Sequence, residues 1–376
     1  MGMIKISDNL HHLRSLFLSR GADLRIVGGC LRDSLLGIEP KDIDLCTDLT
    51  PDEQIGLYKE ENIHFIKTGL AHGTLTVVLG EDVFEITSLR TETNHDGRHA
   101  TVAYTKNWIE DLSRRDLSIN AILSTFDGEI VDPFNGQDDL KNNRVRFVGN
   151  AHERMTEDFL RILRWLRFQA RISPEGALDA EAVNAAIEVG AGLSKISKER
   201  VWMEVAKILK TKATDIFSVL FELRLAEHIG LPVGSFPALR EVSKNTDSPV
   251  TMLAAFLGDK VVALAEEWKW SADERDQAKF IANNIAADNL RAIVALNLVP
   301  KDWVVELSIV QNRLQEAEFL RVWEPPVFPV RGEDILAAGV KPGKKVGEIL
   351  EKMKQEWVLS YFSATRVELL EKGFAQ

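Results

Sequence analysis

The chain of 376 residues is longer than a single hydrophobic core normally supports, so we expect two to four modules. A hydrophobic content of 45% and a charged content of 27% are typical of globular proteins, and no apolar run approaches the length of a membrane span. The net charge of −11 argues against indiscriminate binding of nucleic acid, but it is compatible with a local basic groove.

Two further features concern the cellular compartment. The N-terminal residues do not have the pattern of a signal peptide. The two cysteines, Cys30 and Cys46, are too few for a disulfide framework and lack the spacing of a zinc site. We therefore expect a reducing, cytoplasmic location and no membrane partner. The oligomeric state is not indicated by the sequence.

The first part of the chain alternates between predicted helices and strands. Periodicity and turn residues predict helices at 4–20, Cys30–Leu36 and 51–62, and strands at Leu24–Val27, Lys41–Cys46, 73–79, 83–89 and 130–134. The segment Thr91–Tyr104 is too polar to pack, and we interpret it as a mobile loop. Together these elements predict a compact α+β unit with a mixed sheet, of about 140 residues.

After this unit the pattern becomes almost entirely helical, beginning with a helix at Met155–Arg171. Three prolines between Trp323 and Val330 are incompatible with a regular helix and indicate a joint. We predict a head (1–140), followed by an all-α neck (141–214), body (215–323) and tail (324–376).

Two features near the start of the head carry chemistry. Gly28 and Gly29 follow a predicted strand and precede a helix, where unobstructed backbone N–H groups suit a phosphate. Asp42 and Asp44 are two residues apart on a predicted strand, so both carboxylates face one side. Two adjacent carboxylates repel each other unless a cation lies between them, and Mg²⁺ is the usual ion for an all-oxygen site. This combination indicates nucleotidyl transfer.

The same stretch resembles a known family. The order GG-x-x-R-D-x-x-L-G followed by D-x-D, which includes Arg32 and Asp33, is the signature of the class II tRNA nucleotidyltransferases and bacterial poly(A) polymerases, within the DNA polymerase beta superfamily. The chain has a residue of the required type at every fixed position. Cys30 stands where the family commonly has a small residue such as alanine.

A second element, DLSRRDLSINA, resembles the RRD-x-x-x-NA element of this family. Arg114 and Arg115 offer fork-shaped donors that suit triphosphate oxygens. Asp116 and Asn120 are candidates to bond the ribose hydroxyls. The alternative, which the first motif makes less favourable, is an Arg–Asp pair on a solvated helix.

A third element, EDFLR, resembles the EDxxR element with which the family selects C and A. On a continuous helix Asp158 and Arg161 would be neighbours on one face. Without the resemblance, a simple intrahelical salt bridge would be the preferred interpretation. Arg164, Arg167 and Arg171 extend a basic stripe along the same predicted helix, which suits a nucleotide or an RNA backbone but is equally typical of a solvated face.

The resemblance implies template-independent addition of C, C and A to the 3′ end of tRNA from CTP and ATP. Asp42 and Asp44 would hold two Mg²⁺ ions, with Glu85 on a neighbouring strand as a further catalytic carboxylate. The end of the chain resembles the tail of many bacterial tRNA nucleotidyltransferases. Its turn at Lys341, Lys344 and Lys345 opens a helix and suits an RNA phosphate.

Several alternatives remain open at this point. An enzyme that adds only A is compatible with the sequence, whereas relatives that add only CC lack the loop that we place at Thr91–Tyr104. A poly(A) polymerase is less favoured, because the basic C-terminal extension expected of one is absent. A catalytically idle RNA-binding module has no need of paired carboxylates.

Overall fold

The computed structural model describes residues 4–40, 42–93 and 101–374. The described chain divides into two compact units, the first ending at Pro232 and the second beginning at Val233. None of the described helices is long and apolar enough to cross a membrane. The finer division of the chain into head, neck, body and tail remains a prediction.

The first unit contains a mixed sheet. Its described strands are β1 (Leu24–Val27), β2 (Asp44–Thr47), β3 (His64–Gly69), β4 (Thr74–Leu79), β5 (Asp82–Ser88), β6 (Arg90–Thr93), β7 (Thr101–Tyr104), β8 (Leu123–Ser124) and β9 (Ile130–Val131). Seven of them form one sheet in the order β3-β4-β5-β2-β1-β8-β9, and β6 pairs with β7 separately. The β2–β5 pair is parallel and the others are antiparallel.

Helices complete the first unit. They are α1 (Asp8–Ser19), α2 (Gly29–Leu35), α3 (Pro51–Glu60), α4 (Trp108–Ser113), α5 (Gly136–Lys141), α6 (Ala151–Glu157), α7 (Leu160–Ile172), α8 (Ala180–Val189), α9 (Lys198–Lys210), α10 (Thr214–Glu222) and α11 (Leu225–Ile229), with short 3₁₀ segments at Leu70–His72, Ser118–Asn120 and Gly190–Lys195. Local sequence accounts for boundaries such as that of α3, where Thr50 and Glu53 form a reciprocal capping box. Val27, Cys46 and Leu112 belong to one buried cluster, which fixes β1, β2 and α4 relative to one another.

Three predictions about strands need correction. The strand predicted at Lys41–Cys46 begins only at Asp44, so Asp42 precedes it. The edge strand β3 was not predicted, because Ile66, an apolar residue, is 43% exposed and the segment lacks a clean alternation. The prediction of a loop throughout Thr91–Tyr104 is wrong at its ends, since β6 and β7 pair from Arg90↔Tyr104 to Thr93↔Thr101. Residues 94–100 of that predicted loop lie outside the described residues.

The helix predicted at Met155–Arg171 is interrupted. Helix α6 ends at Glu157, and α7 begins at Leu160. Asp158 has an extended backbone (φ −150°, ψ 106°), and its Oδ1 accepts a hydrogen bond from the Leu160 N–H at 3.0 Å. The Asp158 side chain therefore bonds the first N–H of the second helix, whose N-cap is Phe159, and Asp158 does not lie within one continuous helix.

The second unit is helical throughout its described residues. It contains α12 (Phe236–Ser243), α13 (Pro249–Leu257), α14 (Lys260–Glu267), α15 (Ala272–Asn283), α16 (Leu290–Ala295), α17 (Lys301–Val310), α18 (Leu314–Val322), α19 (Gly332–Ala337), α20 (Lys344–Leu359) and α21 (Arg366–Phe374). One of its apolar clusters is centred on Met353 and Trp357, each 1% exposed. The predicted fold class, a mixed sheet with helices followed by an all-α region, is confirmed.

Candidate active site

A cleft of about 470 Å³ opens in the first unit beside the end of β1 and the start of β2. The predicted site residues that line it are Gly28, Gly29, Arg32, Asp44, Glu85, Arg114, Arg115, Asp116, Asn120, Asp158, Arg161 and Arg164. Residues from five segments that are far apart in the sequence are thus brought to one place. The motifs identified in the sequence therefore share a single site.

The paired glycines form the turn between β1 and α2. Gly28 has a φ of +74°, a left-handed conformation that side chains rarely adopt. A β-carbon on Gly28 would lie 3.0 Å from Nη1 of Arg115, whereas one on Gly29 would lie 3.5 Å from Arg32 Nη2 and 3.8 Å from Asp44 Oδ2. The turn therefore brings the backbone close to two arginines and to one of the predicted metal ligands.

Two carboxylates on neighbouring strands face the cleft. Asp44 on β2 is the register partner of Glu85 on β5, so their side chains project from the same face of the sheet. Both residues are exposed. Desolvation by the surrounding protein raises the pKa of Asp44, and the charges of Glu85 and Asp42 raise it further. Three carboxylates therefore act on one another here.

The position of Asp42 differs from the prediction that it shares a strand face with Asp44. It lies two residues before the start of β2 and is exposed, and its charge contributes to the raised pKa of Asp44. The pairing of β2 begins at Asp44 opposite Glu85 of β5 and at Leu45 opposite Ile26 of β1, so Asp42 lies before the paired residues. The alternation of Lys41–Cys46 suggested a longer strand than the pairing supports.

A chain of hydrogen bonds joins the glycine turn to α7. Arg32, which is 4% exposed, donates from Nη1 to Asn120 Oδ1 at 2.6 Å. Asn120 donates to Asp116 at 3.1 Å, and the other oxygen of Asp116 accepts from Arg164 Nε at 2.7 Å. The Asp33 carboxylate accepts hydrogen bonds from the guanidinium groups of both Arg32 and Arg171, and its contact with Arg171 is 2.9 Å long. The predicted ribose ligands Asp116 and Asn120 are thus bonded to protein groups in this arrangement.

Asp158 and Arg161 both reach the cleft, but they do not form the predicted neighbouring pair on one helix. The other oxygen of Asp158 accepts a bond from Arg200 Nη2 at 2.8 Å. Arg161 bonds instead to Glu157 and to the Arg154 carbonyl. The simple salt bridge between Asp158 and Arg161, which was the alternative interpretation, is therefore also incorrect for this structure.

The remaining arginines of α7 are paired with acidic side chains. Arg167 lies 3.1 Å from Glu204 on α9, and its guanidinium stacks on Phe168 at 4.5 Å from the ring centre. Arg32 lies over the same ring at 4.8 Å. Arg161, Arg164 and Arg167 are consequently half-buried, which contradicts a solvated face for these three, whereas Arg171 is exposed. Ile162 and Leu163 of the same helix are fully buried.

Some cleft residues were not singled out from the sequence. Thr74 and Thr87 face each other across β4 and β5, with their hydroxyl oxygens 2.9 Å apart, and Arg90 and Phe168 complete the lining. The position of Thr87, two residues after Glu85 on the same strand, was a usable signal, because alternate residues share a face. Phe168 offered none, since an aromatic residue on an amphipathic helix normally indicates core.

No three of the described Asp, Glu, His and Cys side chains are grouped closely enough to enclose a metal ion by themselves. The three tail lysines are exposed, and Lys344 begins α20 after Gly343. They belong to the second unit.

The fold and the cleft together define a nucleotidyltransferase head followed by helices. Two family profiles agree with that class: "Poly A polymerase head domain" matches residues 24–146, and "Probable RNA and SrmB- binding site of polymerase A" matches residues 177–233. The first of these spans the glycine turn, both strands that carry cleft carboxylates, and the Arg114–Asn120 segment.

Relatives of full length narrow the class. "CCA tRNA nucleotidyltransferase 1, mitochondrial" of Homo sapiens is 37% identical, with 97% of this chain and 89% of the relative covered. "CCA-adding enzyme" of Latilactobacillus sakei subsp. sakei is 29% identical over 93% of this chain and 94% of the relative. The crystal structure of Bacillus stearothermophilus CCA-adding enzyme in complex with CTP has a TM-score of 0.74 and 25% identity, with 93% of this chain and 92% of that chain covered. The chain belongs to the CCA tRNA nucleotidyltransferase family, which confirms the resemblance and the expectation of an enzyme.

Proposed function

We propose that this chain adds C, C and A to the 3′ end of tRNA from CTP and ATP, without a nucleic-acid template. The observation that carries the proposal is the convergence, in one cleft, of the Asp44–Glu85 carboxylates, the Arg114–Arg115 donors and the Asp158–Arg161 base-reading groups. The names of the relatives support the choice of tRNA as acceptor, and the B. stearothermophilus complex supports CTP as a substrate.

The residues of the cleft fit divalent metal ions. The carboxylates offer only oxygen ligands, and the pKa of Asp44 is raised first by desolvation and then by the charges of Glu85 and Asp42, whose repulsion a cation would relieve. Asp42 and Asp44, with Glu85 as a further candidate, would hold two Mg²⁺ ions, and triphosphate oxygens and water would complete the coordination. When bound, Mg²⁺ neutralises phosphate charge and lowers the pKa of the attacking tRNA 3′-hydroxyl.

The protein groups would bind and orient the nucleotide. The backbone at Gly28 and Gly29 leaves room for phosphate oxygens, and the guanidinium groups of Arg114 and Arg115 offer paired donors to them. Arg32 is buried and hydrogen-bonded to Asn120, so we propose that it supports the triphosphate site from the protein interior. Holding the α-phosphorus in line with the 3′-hydroxyl is itself a large part of such catalysis.

Asp158 and Arg161 would choose the base. CTP and ATP each present an exocyclic amino donor beside a ring-nitrogen acceptor, whereas UTP and GTP present the reverse pattern. The Asp158 carboxylate suits the amino group, and the Arg161 guanidinium suits the ring nitrogen. In this structure Asp158 bonds Arg200 and Arg161 bonds Glu157, and both side chains line the cleft.

The test uses three tRNA substrates: one that ends before CC, one that ends after CC, and one that carries the whole CCA end. Each is incubated with the protein, Mg²⁺, and CTP or ATP labelled at the α-phosphate, and the products are resolved at single-nucleotide length. We expect C to be added twice to the first, A once to the second, and nothing to the third.

The alternatives give different products. An enzyme that adds only A extends just the second substrate, and a poly(A) polymerase produces long ladders with ATP alone. If neither the folded parent nor the folded Asp52→Ala variant extends any of the three substrates, the proposed activity is wrong. Asp52 is an exposed residue in the first turn of α3 and serves as a control for removal of a carboxylate.

We also propose that the exposed lysines Lys341, Lys344 and Lys345 bind tRNA phosphates. The cytoplasmic location predicted from the sequence stays a prediction, because the name of the human relative specifies mitochondria. Fractionation of the producing cells, followed with an antibody to the chain, would decide between these locations.

A further inference from the structure

One buried carboxylate lies behind the two cleft arginines. Asp111, on α4, is 2% exposed. Its Oδ1 accepts hydrogen bonds from Arg114 Nε at 2.9 Å and Nη2 at 2.6 Å, and its Oδ2 accepts from Arg115 Nη2 at 3.1 Å. Burial by itself raises the pKa of Asp111, but the charges of Arg115 and Arg114 outweigh burial and hold the pKa below its ordinary value. The group is therefore a carboxylate at neutral pH.

Arg114 and Arg115 need such a partner because they are consecutive and both line the cleft. Their side chains are 15% and 20% exposed, so solvent screens their mutual repulsion incompletely. Each has several rotatable bonds, and without a fixed acceptor each would lose entropy when it binds a phosphate. Asp111 fixes one edge of each guanidinium, and both arginines line the cleft.

The same carboxylate also bonds the backbone. Oδ1 of Asp111 accepts from the N–H of Arg90, the first residue of β6, at 3.2 Å. Arg114 Nε in turn donates to the carbonyl of Arg90 at 3.0 Å. One end of the β6–β7 hairpin is thus fastened to the carboxylate that orients the arginines. Arg115 meanwhile lies against the turn at Gly28.

We propose that Asp111 is a positioning residue for the nucleotide triphosphate: it presets Arg114 and Arg115 in the geometry that grips the phosphates and does not touch the nucleotide itself. This inference rests on the proposed function, since it takes a nucleoside triphosphate as the ligand of the cleft. We expect Asp111 not to distinguish between bases, because Asp158 and Arg161 are not among its contacts described above. Binding of CTP, of ATP and of inorganic triphosphate should depend on it alike.

The experiment compares Asp111→Asn with Asp139→Asn in the full chain. Asp139 is a matched control, because it is 0% exposed and also binds two arginines, Arg144 and Arg146, together with the hydroxyl of Ser118. Neither Arg144 nor Arg146 lines the cleft. Dissociation constants for CTP and for inorganic triphosphate are measured by calorimetry with Mg²⁺ present, and thermal unfolding is recorded for each variant.

In Asp111→Asn the amide N–H₂ faces guanidinium donors, and the countercharge is lost. We expect both dissociation constants to rise by about 10- to 100-fold, because the loss of a charge-assisted hydrogen bond weakens binding by a factor of that size. The KM for CTP and for ATP should rise in parallel, whereas kcat at saturation and the preference for CTP over UTP should change less than threefold. Asp139→Asn should lower the melting temperature and leave both dissociation constants within threefold of the parent.

Equal binding of inorganic triphosphate by the two variants would overturn the proposal, as would a fall in kcat without a rise in KM. If Asp111→Asn does not fold, Asp111→Glu decides, because it keeps the buried charge but displaces both arginines by one methylene. Parental triphosphate affinity in that variant also overturns the proposal. A parent that binds CTP but extends no tRNA would refute the proposed function and leave the binding comparison intact.

Discussion

In the described residues of the first unit, several buried polar side chains are charged, whereas those of the second unit are hydroxyls. The buried charged residues are Arg32, Asp111, Asp116, Asp139 and Glu204, and the buried polar residues of the second unit are Ser243, Thr246, Thr251 and Ser308. A buried charge is costly unless it is paired and hydrogen-bonded. Arg32, Asp111 and Asp116 bear that cost at the cleft or in contact with its lining, where arginines must be held in place before a substrate arrives, whereas Asp139 pairs with arginines outside the lining.

The second unit shows how the chain packs where no buried arginines have to be held for a substrate. Its apolar clusters are built from residues such as Ile335, Met353, Trp357 and Leu369, and its ion pairs, such as Arg291–Glu316, lie at the surface. Surface pairs of this kind contribute little to stability. The difference indicates that the buried charges at the cleft serve function more than stability, and substitutions can test this.

The largest effect is expected at the cleft carboxylates. Asp44→Ala or Asp42→Ala should lower nucleotide addition by at least about a thousandfold, because a lost metal site removes several kcal/mol of transition-state stabilisation. The rate is measured with a tRNA that lacks only A, and folding is checked by thermal melting. More than a tenth of the parental rate in both variants, with Asp52→Ala as the control, would contradict the assignment.

The next effect concerns stability and pH. Asp116 is buried, and although burial raises its pKa, Arg164 and Asn120 outweigh this and hold the pKa below its ordinary value. Stability from such a group is present above the pKa of the unfolded chain, near 4, and is lost as the pH falls through the lower folded value. Asp116→Asn should therefore be about 3 kcal/mol less stable at pH 7, and should lose less stability than the parent on acidification to pH 3.

Denaturant unfolding of the parent and of Asp116→Asn at pH 7 and pH 3 measures both quantities. Asp334→Asn is the control from the second unit, since the pKa of Asp334 is also lowered, first by a hydrogen bond with Arg366, but that partner is exposed. Its effect should be small at both pH values. Equal losses of stability in Asp116→Asn and Asp334→Asn would contradict the contrast between the buried charges of the first unit and the surface ion pairs of the second.

A smaller effect is expected for base choice. Asp158→Ala should narrow the preference for CTP over UTP by about 10- to 100-fold, mainly by weakening the use of CTP, because a mismatched base leaves buried polar groups unpaired. Since Asp158 also bonds the first N–H of α7, the control is Asp179→Ala, which removes the N-cap side chain of α8. Arg161→Ala should behave as Asp158→Ala does. Unchanged discrimination in both cleft variants, at normal melting temperatures, would place base choice elsewhere.

The smallest effect belongs to the second unit. Changing Lys344 and Lys345 together to Glu should raise the dissociation constant for tRNA by about tenfold at low salt and leave CTP binding unaltered. Acidic residues are favourable at the start of α20, so the helix should not be weakened. The same double charge reversal at Lys352 and Lys354, further along α20, is the control. Filter binding over a salt series measures both, and identical curves would exclude a tRNA role for the turn.

Sequence reasoning was most successful where local chemistry decides the outcome. Strand β1 was predicted with its observed bounds, Leu24–Val27, because an apolar run ends at two glycines. Sequence reasoning failed where contacts with distant segments decide the bounds of an element. The start of β2 is set by the pairing of Asp44 with Glu85 of β5, and the interruption at Asp158 involves Arg200 from another helix and a hydrogen bond to the Leu160 N–H. Neither glycine nor proline marks that interruption.

The candidate site shows the same division. Motifs gave the residue types, but the partners of each residue came from the fold. Asp111 was quoted within a motif and received no role, since its burial and its contacts with Arg90, Arg114 and Arg115 are not visible in the sequence. Likewise, the arginine stripe of α7 could not be distinguished from a solvated face until Glu204 and Asp116 were placed against it.

The turn between β1 and α2 has a consequence for sequence variation. Gly28 combines a left-handed backbone with a close approach to an arginine that Asp111 holds in place. Every other amino acid carries the same β-carbon or a proline ring, so position 28 excludes all of them for one shared reason. Gly29 has an ordinary helical neighbourhood with contacts near 3.5 Å, which an alanine methyl group can occupy. In a library randomised at both codons, functional clones should all retain glycine at the first position and admit alanine at the second.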